Sequence, residues 1–433
     1  QCPTCQKHVS FWDACVVRDP AEISGTFYCT HCGQKAPIND ASRVTEKIWD
    51  GLIGKHRKVR RRLPAWVYGS TNGRTWVRPF QPSDAHLLKR IETEPLPECV
   101  PKVPIPWGDL HRSGYHEGIT HLHHFYTRRN LIAFSALWEQ VRKQPPELQD
   151  ALRFWLLSYN ASHSTIMTRV VAKRGQKDLV VTSAQSGVLY VSGLPVEKNV
   201  FAGLRRKLKT IGQAFAITHG NAGLVDVRNI SSASTGLLDG SADYIFTDPP
   251  FGGNIPYAEV NFLNEAWLGC TTSVADEVTI SPHQGKAIED YQRLLLQSFR
   301  EAFRVLRDGG KATVVFHSSS AQTWNALRAA CEQAGFGVEV SGILDKTQGS
   351  LKQITCSGAV RGDALILLTK SHSQPNGSIA DVWKITGNLL RRATASNDPA
   401  ETTPQRIYSR LVAHYVSNHL EVPIDAKDFY RQF

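Results

Sequence analysis

The chain lacks several features that would place it in a special class of protein. No apolar run approaches the roughly 20 residues that a helix needs to cross a bilayer, so we expect no membrane span. No signal peptide follows the first residue, Gln1, and we expect a processed chain or a piece of a longer one. The nine cysteines are odd in number and five of them are scattered singly, which does not resemble a disulfide framework. These absences predict a protein of the reducing cytoplasm.

Acidic residues are also scarce relative to basic ones. The 433 residues include 50 Lys and Arg against 39 Asp and Glu, which gives a net charge of +11. A surplus of this size favours a polyanionic partner, usually nucleic acid, although a basic protein need not have one. The length predicts two to four domains and is sufficient for a large core.

Four cysteines form two close pairs near the start of the chain. Their spacing is Cys-x2-Cys-x23-Cys-x2-Cys, formed by Cys2, Cys5, Cys29 and Cys32. Each pair on a tight turn aims two thiolates at one point, and four sulfurs can close a tetrahedral Zn²⁺ site. Four protein ligands leave no coordination position for water. We therefore predict a structural zinc ribbon over residues 1–45.

Two further clusters admit more than one interpretation. The basic run 55–62 and the hairpin predicted around Asn72-Gly73 fit either a solvated linker or a nucleic-acid surface. A second cluster invites a metal site and consists of His116, Glu117, His121, His123 and His124. Its spacing matches no standard zinc motif, so we favour histidines without a metal.

The second half of the chain alternates strands and helices in the manner of an α/β protein. A helix from about 127, a second at 147–165 and two β-like runs come first, followed by a basic amphipathic helix at 199–215. Apolar strands are then predicted at 223–227, 243–247, 311–317, 337–344 and 363–369, with helices at 288–306 and 320–334. The last two strands have no helix between them and should pair antiparallel.

The tetrapeptide Asp248-Pro249-Pro250-Phe251 directly follows the strand predicted at 243–247. Two consecutive prolines cannot continue a central strand. The motif is therefore a rigid loop at the carboxyl end of a strand, where α/β sheets bind ligands. A carboxylate, a carbonyl without a competing N–H and an aromatic ring can together hold a planar amine. A plain rigid turn is the alternative, and the flanking strand and glycine loop favour a site.

At this motif the chain resembles the zinc-ribbon-containing adenine-specific DNA methylases, which are class I S-adenosylmethionine-dependent amino-methyltransferases with an Asp-Pro-Pro-Tyr/Phe motif. The resemblance rests on the zinc ribbon and on the segments "LDGSADYIFTDPPF", "FREAFRVLRDGGKATVVFH", "GITHLHHFYTRRNL", "SLKQITCSGAVRGDALILLTK" and "YSRLVAHYVSNHL". It implies a Rossmann-like sheet with an antiparallel last strand, S-adenosylmethionine and structural zinc as cofactors, and double-stranded DNA as partner. It also implies a restriction-modification or phage-defence setting, with other defence subunits as candidate partners.

The resemblance also implies roles for single residues. Methyl transfer would go directly to the exocyclic amine of a flipped base, adenine N6 first, with cytosine N4 or RNA left open. Asp248 and the Pro249 carbonyl would hold the amine, and no Pro-Cys dipeptide is present for the covalent route of cytosine-C5 enzymes. The residues assigned to the base are Phe251, Gly252 and Asn254, followed in the loop after the motif by Tyr257, Glu259 and Asn261. Those assigned to the cofactor are Asp226, Phe246 and Asp248, although Asp226 equally fits a strand-end cap. Arg128 and Arg129 fit a helix surface better than a cofactor contact.

One part of the family pattern is missing. We find no Phe-x-Gly-x-Gly loop after an apolar strand, and no second strand that ends in an acid. In the class I topology the first strand lies beside the strand of Asp-Pro-Pro-Phe, and its loss leaves buried backbone unpaired. We therefore expect these strands from upstream sequence or a partner chain. A degenerate nucleic-acid-binding scaffold is the alternative.

The predicted organisation has five parts. They are the zinc ribbon at 1–45, a basic β-rich insertion and proline-rich linker that is a candidate for DNA contact at 46–110, a connecting region at 111–198, the catalytic core at 199–371 and a helical tail at 372–433.

Overall fold

The computed structural model describes residues 1–164, 168–173, 178–182, 189, 191–220, 223–344, 362–370, 381–395 and 399–433. The chain forms two compact units. The first unit comprises residues 1–223 and 257–272, and the second comprises residues 224–256 and 273–433. The finer division into five parts stays a prediction. Among the described residues, no helix is both long and apolar enough to cross a bilayer.

The first unit combines small antiparallel strand pairs with helices. The pairs are β1 (Val16–Arg18) with β2 (Ala21–Ile23), β3 (Thr26–Tyr28) with β4 (Lys35–Pro37), β5 (Thr45–Asp50) with β6 (Lys55–Arg60), β7 (Trp66–Thr71) with β8 (Arg74–Pro79), and β9 (Arg169–Val171) with β10 (Val180–Thr182). The helices are α1 (Phe11–Cys15), α2 (Pro82–Thr93), α3 (Arg128–Arg142), α4 (Pro146–Leu157), α5 (Asn160–His163), α6 (Val200–Thr218) and α7 (Tyr257–Leu268).

Local sequence signals explain several of these elements. The hairpin of β7 and β8 turns at Asn72 and Gly73, whose φ angles of 51° and 76° are those of a type I′ turn. Helix α3 begins after Thr127, whose hydroxyl accepts a hydrogen bond from the backbone N–H of Asn130. Both predictions are confirmed, as is the basic helix α6. The helix expected at 147–165 is instead broken into α4 and α5.

The β structure of this unit differs from the predictions in two places. The basic run at 55–62 is not a linker, because β6 pairs with β5 along its whole length. Of the two β-like runs, the first forms β10, whose partner β9 the sequence did not indicate. Of the second, at 187–193, residues 187, 188 and 190 lie outside the described residues, and the described residues 189 and 191–193 form no strand.

The main core of the first unit is built from α3, α4, α6, α7 and the segment before α3. Its fully buried large side chains include Leu122, Phe125, Phe134, Leu156 and Phe262. A separate small cluster surrounds the paired cysteines and includes Cys2, Cys15, Phe27 and Cys29. The insertion of residues 257–272 therefore supplies part of this unit's core through α7.

The described residues of the second unit form one four-stranded sheet and five α-helices. The strands are β11 (Ala242–Thr247), β12 (Leu306–Phe316), β13 (Gly337–Leu344) and β14 (Asp363–Thr369), in the spatial order β11-β12-β14-β13. The helices are α8 (Ile288–Val305), α9 (Ala321–Ala334), α10 (Val382–Thr394), α11 (Pro404–Ser417) and α12 (Ala426–Gln432). β11 and β12 are parallel, whereas β14 is antiparallel to both β12 and β13. The antiparallel ending is confirmed.

The core of this unit lies on one face of the sheet. Alternate residues of the central strands point into it, among them Val314, Phe316, Ile366 and Leu368. The C-terminal helices add Tyr408, Leu411 and Phe429, which are fully buried. The helical tail is thus part of the same core as the sheet.

The strand predicted at 223–227 is wrong. These residues form neither a strand nor a helix, and Leu224, Val225 and Val227 are almost fully exposed. A strand needs a neighbour for its backbone hydrogen bonds, and among the described residues of the second unit none lies beside this segment.

Candidate functional site

The loop Asp248-Pro249-Pro250-Phe251 lies at the carboxyl end of β11, as predicted. Because β12 runs parallel to β11, the carboxyl ends of both strands meet at the same edge of the sheet. Asp248 is exposed there, whereas Pro249 is buried. Neither proline has a backbone N–H, so this stretch presents carbonyl and carboxylate acceptors without competing donors.

A buried tyrosine fixes the middle of this loop. The hydroxyl of Tyr291, on α8, donates a hydrogen bond to the carbonyl oxygen of Pro250 at 2.5 Å. Tyr291 is fully buried, and burial raises its pKa, which keeps the hydroxyl protonated and a donor. The Pro250 carbonyl therefore has a partner within the protein. The motif itself did not indicate that Tyr291 would hold this loop.

The ring of Phe251 packs into the second unit. It meets Phe316 edge to face, with ring centroids 5.2 Å apart, and lies 6.1 Å from the ring of His317. Phe251 stays half-buried. Its orientation is thus set by the end of β12, and part of its surface remains accessible at the edge of the sheet.

The glycines after the motif are packed tightly. A Cβ on Gly253 would lie 2.5 Å from the carbonyl oxygen of Ile280, and Gly252 has a φ of 70°. Position 253 therefore has no room for a side chain, and position 252 has a backbone conformation that favours glycine. Ile280 and Thr323, which line this turn, also line a hollow of about 430 Å³. Asn254, the next predicted base contact, is exposed.

Two further polar residues lie at the same edge and were not predicted. His317 follows β12, and Asp363 begins β14, which runs antiparallel and therefore starts at this edge. The Nδ1 of His317 lies 3.3 Å from Oδ1 of Asp363 and 3.1 Å from the carbonyl oxygen of Gly362. The signal that would have found them is their position at the strand ends.

Three residues assigned to the base lie on a helix instead of a loop. Tyr257, Glu259 and Asn261 belong to the first turns of α7, in the first unit. Glu259 is buried, and its carboxylate accepts hydrogen bonds from the backbone N–H groups of Gly108 and Leu110. Burial raises the pKa of Glu259, although those N–H groups oppose the shift. Its carboxylate is therefore engaged within its own unit, whereas Tyr257 and Asn261 are exposed.

The residues assigned to the cofactor do not form a pocket. Asp226 lies in the exposed segment before β11 and pairs with Arg228 at 2.6 Å. Phe246 projects from β11 with 64% of its surface exposed. Arg128 donates to the carbonyl oxygen of Ile91 at the end of α2, and Arg129 pairs with Glu197. These arginines bind within the first unit, in line with the helix-surface interpretation.

The four paired cysteines come together as the spacing predicted. All four Sγ atoms lie within 4.8 Å of one another, with Cys2 and Cys32 3.9 Å apart and Cys5 and Cys29 3.6 Å apart. A tetrahedron of sulfurs 2.3 Å from a zinc ion has edges of about 3.8 Å. Hydrogen bonds, first among them the one from the backbone N–H of Cys5, lower the pKa of Cys2 to about 6, whereas burial and the neighbouring sulfurs raise the pKa of Cys32 against a backbone hydrogen bond from Gln34. The donor set fits Zn²⁺.

The histidine cluster is better explained by hydrogen bonds than by a metal. Nε2 of His123 and Nε2 of His124 lie 2.9 Å and 2.6 Å from Oδ2 of buried Asp50. The backbone N–H of Thr120 donates to Nδ1 of His124, so the proton of the neutral ring must sit on Nε2 and point at Asp50. A protonated Nε2 cannot ligate a metal. The Nε of Arg57, 3.3 Å from Asp50, adds a further cation against the same carboxylate.

The basic run is partly used inside the first unit. Arg57 donates to the carbonyl oxygen of Gly118, Lys58 pairs with Glu117, and Arg60 stacks over Tyr115. Trp49, on the partner strand, remains 60% exposed. Fewer cations of this run are therefore available to a phosphate backbone than the sequence suggests.

Comparisons with known proteins add little to this geometry. No protein-family model matches the chain, and no curated protein matches it. Solved structures that match include three of one Thermus thermophilus protein, which carries the inferred assignment of DNA modification methylase. They are a selenomethionine derivative, the unmodified protein, and a complex with S-adenosyl-L-methionine.

The likeness to these structures is distant. They are 14%, 13% and 15% identical to this chain, each match covers 37% of it, and each has a TM-score of 0.20. The matches cover 61%, 62% and 63% of the solved chains, which is less than two thirds of their length. At this level the likeness carries no argument about this chain, and the case for its function rests on the site.

Proposed function

We propose that this chain holds the exocyclic amine of a nucleic-acid base for methylation, as part of an S-adenosylmethionine-dependent DNA methyltransferase of the class I type. Adenine N6 is the proposed acceptor, and a modification or defence system is the proposed setting. The observation that carries the proposal is the Asp248-Pro249-Pro250-Phe251 loop at the carboxyl edge of a parallel strand pair, where the Asp248 carboxylate is followed by two proline carbonyls with no N–H of their own. The order β11-β12-β14-β13, with its antiparallel ending, supports the class I assignment.

The loop supplies what an amine needs before it is methylated. An –NH₂ group has two hydrogens, which the Asp248 carboxylate and the Pro249 carbonyl would accept. Acceptors at both hydrogens increase electron density on nitrogen and stabilise the positive charge that develops there. Tyr291 already donates to the next carbonyl, that of Pro250, and so helps to hold the loop in place. Phe251 would stack on the base with its accessible face.

S-adenosylmethionine itself does not fit the described residues alone. Asp226 belongs to an exposed irregular segment, and the sequence has no glycine-rich loop to hold the donor's amino-acid end. We therefore assign to this chain the half of the site that binds the base. We propose that strands from outside these 433 residues supply the half that binds the donor.

Zinc and DNA complete the proposal. Cys2, Cys5, Cys29 and Cys32 would hold one Zn²⁺, which would join the turn after β3 to the first turn of the chain and supply no reaction chemistry. The net charge of +11 supports duplex DNA as the partner. A catalytically inactive scaffold with the same fold is the second candidate, and the missing donor half favours it.

Genomic methylation in the source organism tests the proposal with the protein in its natural assembly. A strain without the gene is complemented with the unchanged gene, with Asp248→Ala, or with Asp243→Ala as a matched control. Asp243 is an exposed carboxylate at the start of the same strand, where it pairs with Arg307. DNA is digested to nucleosides, and N6-methyladenine and N4-methylcytosine are quantified by mass spectrometry.

We expect N6-methyladenine to appear with the unchanged gene and with Asp243→Ala, and to fall by about 100-fold or more with Asp248→Ala. Equal methylation with both variants would remove Asp248 from the chemistry. A change confined to N4-methylcytosine would move the acceptor to cytosine. Identical nucleosides in the deleted and complemented strains would favour the scaffold.

A further inference from the structure

A histidine and a carboxylate lie together at the edge of the sheet that carries the Asp-Pro-Pro-Phe loop, and the proposed function gives them no role. β12 pairs with β11 in parallel, with Thr247 opposite Val314. The same register, continued past the ends of the two strands, places His317 beside Pro250. The distance of 6.1 Å between the ring centroids of His317 and Phe251 agrees with this position. His317 is therefore next to the proposed base site.

The neighbours of Nδ1 decide which ring nitrogen of His317 carries the proton. Nδ1 lies 3.1 Å from the carbonyl oxygen of Gly362 and 3.3 Å from Oδ1 of buried Asp363. Both oxygens are acceptors, so the neutral ring has its proton on Nδ1. Nε2 then keeps a lone pair, and the Asp363 carboxylate would stabilise a positive charge on the ring. His317 is thus oriented as a proton acceptor.

The short connection between β12 and α9, which begins with His317, is held at several points. The carbonyl oxygen of Ser318 accepts a hydrogen bond from Nε1 of buried Trp324. The carbonyl oxygen of Ser319 accepts one from the backbone N–H of Ala426, at the start of α12. A proton acceptor on a fixed backbone can act without first being ordered.

The hollow described above adjoins the same connection. Ser320, the last residue of the connection, and Thr323, in the first turn of α9, both line this space of about 430 Å³. Thr323 also lies against the turn at Gly252, where an added Cβ would come within 3.5 Å of its side chain. A planar base held by the loop would therefore have room beside the connection that carries His317.

From these observations we propose that His317 is the base that takes the proton released when the amine is methylated, and that Asp363 is its positioning residue. This inference rests on the proposed function and adds a proton acceptor to it. The amine nitrogen forms its bond to the methyl carbon as the S–C bond of the sulfonium donor breaks, with the electron pair left on sulfur. The nitrogen then carries one proton more than the product. That proton passes to Nε2 of His317 and from there to water.

Asp248 is the other group that could take this proton. Its carboxylate is exposed, and a carboxylate is ordinarily a weaker base than an imidazole. His317 has the buried carboxylate of Asp363 behind it, which stabilises the protonated ring. The two groups therefore divide the work: Asp248 holds the amine, and His317 removes its proton.

Two variants of His317 distinguish a base from a structural side chain. His317→Asn keeps a nitrogen donor near the position of Nδ1 but cannot take a proton, and His317→Ala leaves a gap that free imidazole can fill. Methyl transfer to DNA from the strain without the gene is measured with the assembly purified from the source organism. His419→Ala is the matched control, because Nδ1 of His419 also lies 3.3 Å from a carboxylate, that of Glu332 near the other end of α9.

We expect both His317 variants to transfer methyl groups about 100-fold more slowly, and imidazole to restore part of the rate of His317→Ala. His419→Ala should keep the rate of the unchanged protein. Asp363→Asn should also slow transfer, but it should add no further loss to His317→Ala, because the two residues act as a unit. Unchanged rates in the His317 variants, or a loss in His317→Ala that imidazole does not restore, would overturn the base alone. No transfer by the unchanged assembly would refute the proposed function as well.

A second readout needs no methyl donor. Diethyl pyrocarbonate acylates the unprotonated nitrogen of an imidazole, and the modified histidines of the same assembly are located by mass spectrometry. We expect adenosine to slow the modification of His317 and to leave that of His86, an exposed histidine of α2, unchanged. Absence of modification at His317, or an equal rate with and without adenosine, would overturn its place at the base site.

Discussion

Lowering the pH from 7 to 5 should destabilise the first unit, because its interior contains histidines that are kept neutral. Burial, together with Arg57, lowers the pKa of His124 to about 3. Burial, together with Lys198 and Arg206, lowers that of His163 to about 4. Both side chains have an ordinary pKa of 6.5 in the unfolded chain. As the pH falls below about 6.5, these histidines bind protons in the unfolded state but not in the folded state, so the free energy of unfolding decreases.

The size of this effect follows from the two pKa values. At pH 5 a histidine with a folded pKa near 4 and an unfolded pKa near 6.5 costs about 2 kcal/mol relative to pH 7. His124 and His163 together should cost about 4 kcal/mol on the same basis. Asp50 acts in another window. Burial alone would raise its pKa, but hydrogen bonds from His123 and His124 leave it lowered, and the stability it adds is lost only below pH 3.8.

Urea unfolding followed by tryptophan fluorescence measures this difference. Eight of the ten tryptophans belong to the first unit, so the signal reports mainly on it. The unfolding midpoint should fall by on the order of 1–2 M urea between pH 7 and pH 5. His163→Leu should remove only the share of the fall that comes from His163, about 2 kcal/mol. A midpoint that is the same at both pH values, or a fall of equal size in the variant, would refute the reasoning.

Three further outcomes are expected. The chain should bind one Zn²⁺ in metal analysis, and Cys29→Ser should abolish binding. Cys15 is buried but is not one of the four zinc ligands, so Cys15→Ser should still bind zinc. Zinc retained by Cys29→Ser would contradict the site. Tyr291→Phe should destabilise the second unit by about 1–3 kcal/mol, seen as faster amide exchange there, because a loop carbonyl loses its donor; unchanged exchange would contradict that role. Gly253→Ala should lower genomic methylation more than Gly342→Ala, whose added Cβ meets nothing within 4 Å; equal effects would show that the turn tolerates displacement.

The sequence predicted the elements whose signals are local. The turn at Asn72-Gly73, the helix start at Thr127 and the loop of Asp248 each depend on the conformational preferences of a few neighbouring residues. The cysteine pairs are similar, because each knuckle is set by its own turn. The antiparallel end of the sheet followed from the absence of a helix between two strands, which is also a local property of the chain.

Contacts between distant parts of the chain escaped prediction. Tyr291 lies 41 residues from the carbonyl that it binds, and Asp363 lies more than 100 residues from Asp248, although both flank the same edge of the sheet. The role of Glu259 was misjudged for the same reason, since its partners at Gly108 and Leu110 are about 150 residues away. No pattern within a short window indicates such pairs.

The sequence by itself determined which groups this protein offers: four cysteines at zinc spacing, and an acid followed by two prolines and an aromatic ring at the end of an apolar strand. Only the tertiary structure decided which groups are available. Arg57, His123 and His124 contact Asp50 inside the first unit. Glu259 accepts hydrogen bonds within its own unit, and among the described residues β11 pairs with one strand, β12. Residue type fixes what a side chain can do, but burial and partners that are distant in sequence decide what it is free to do.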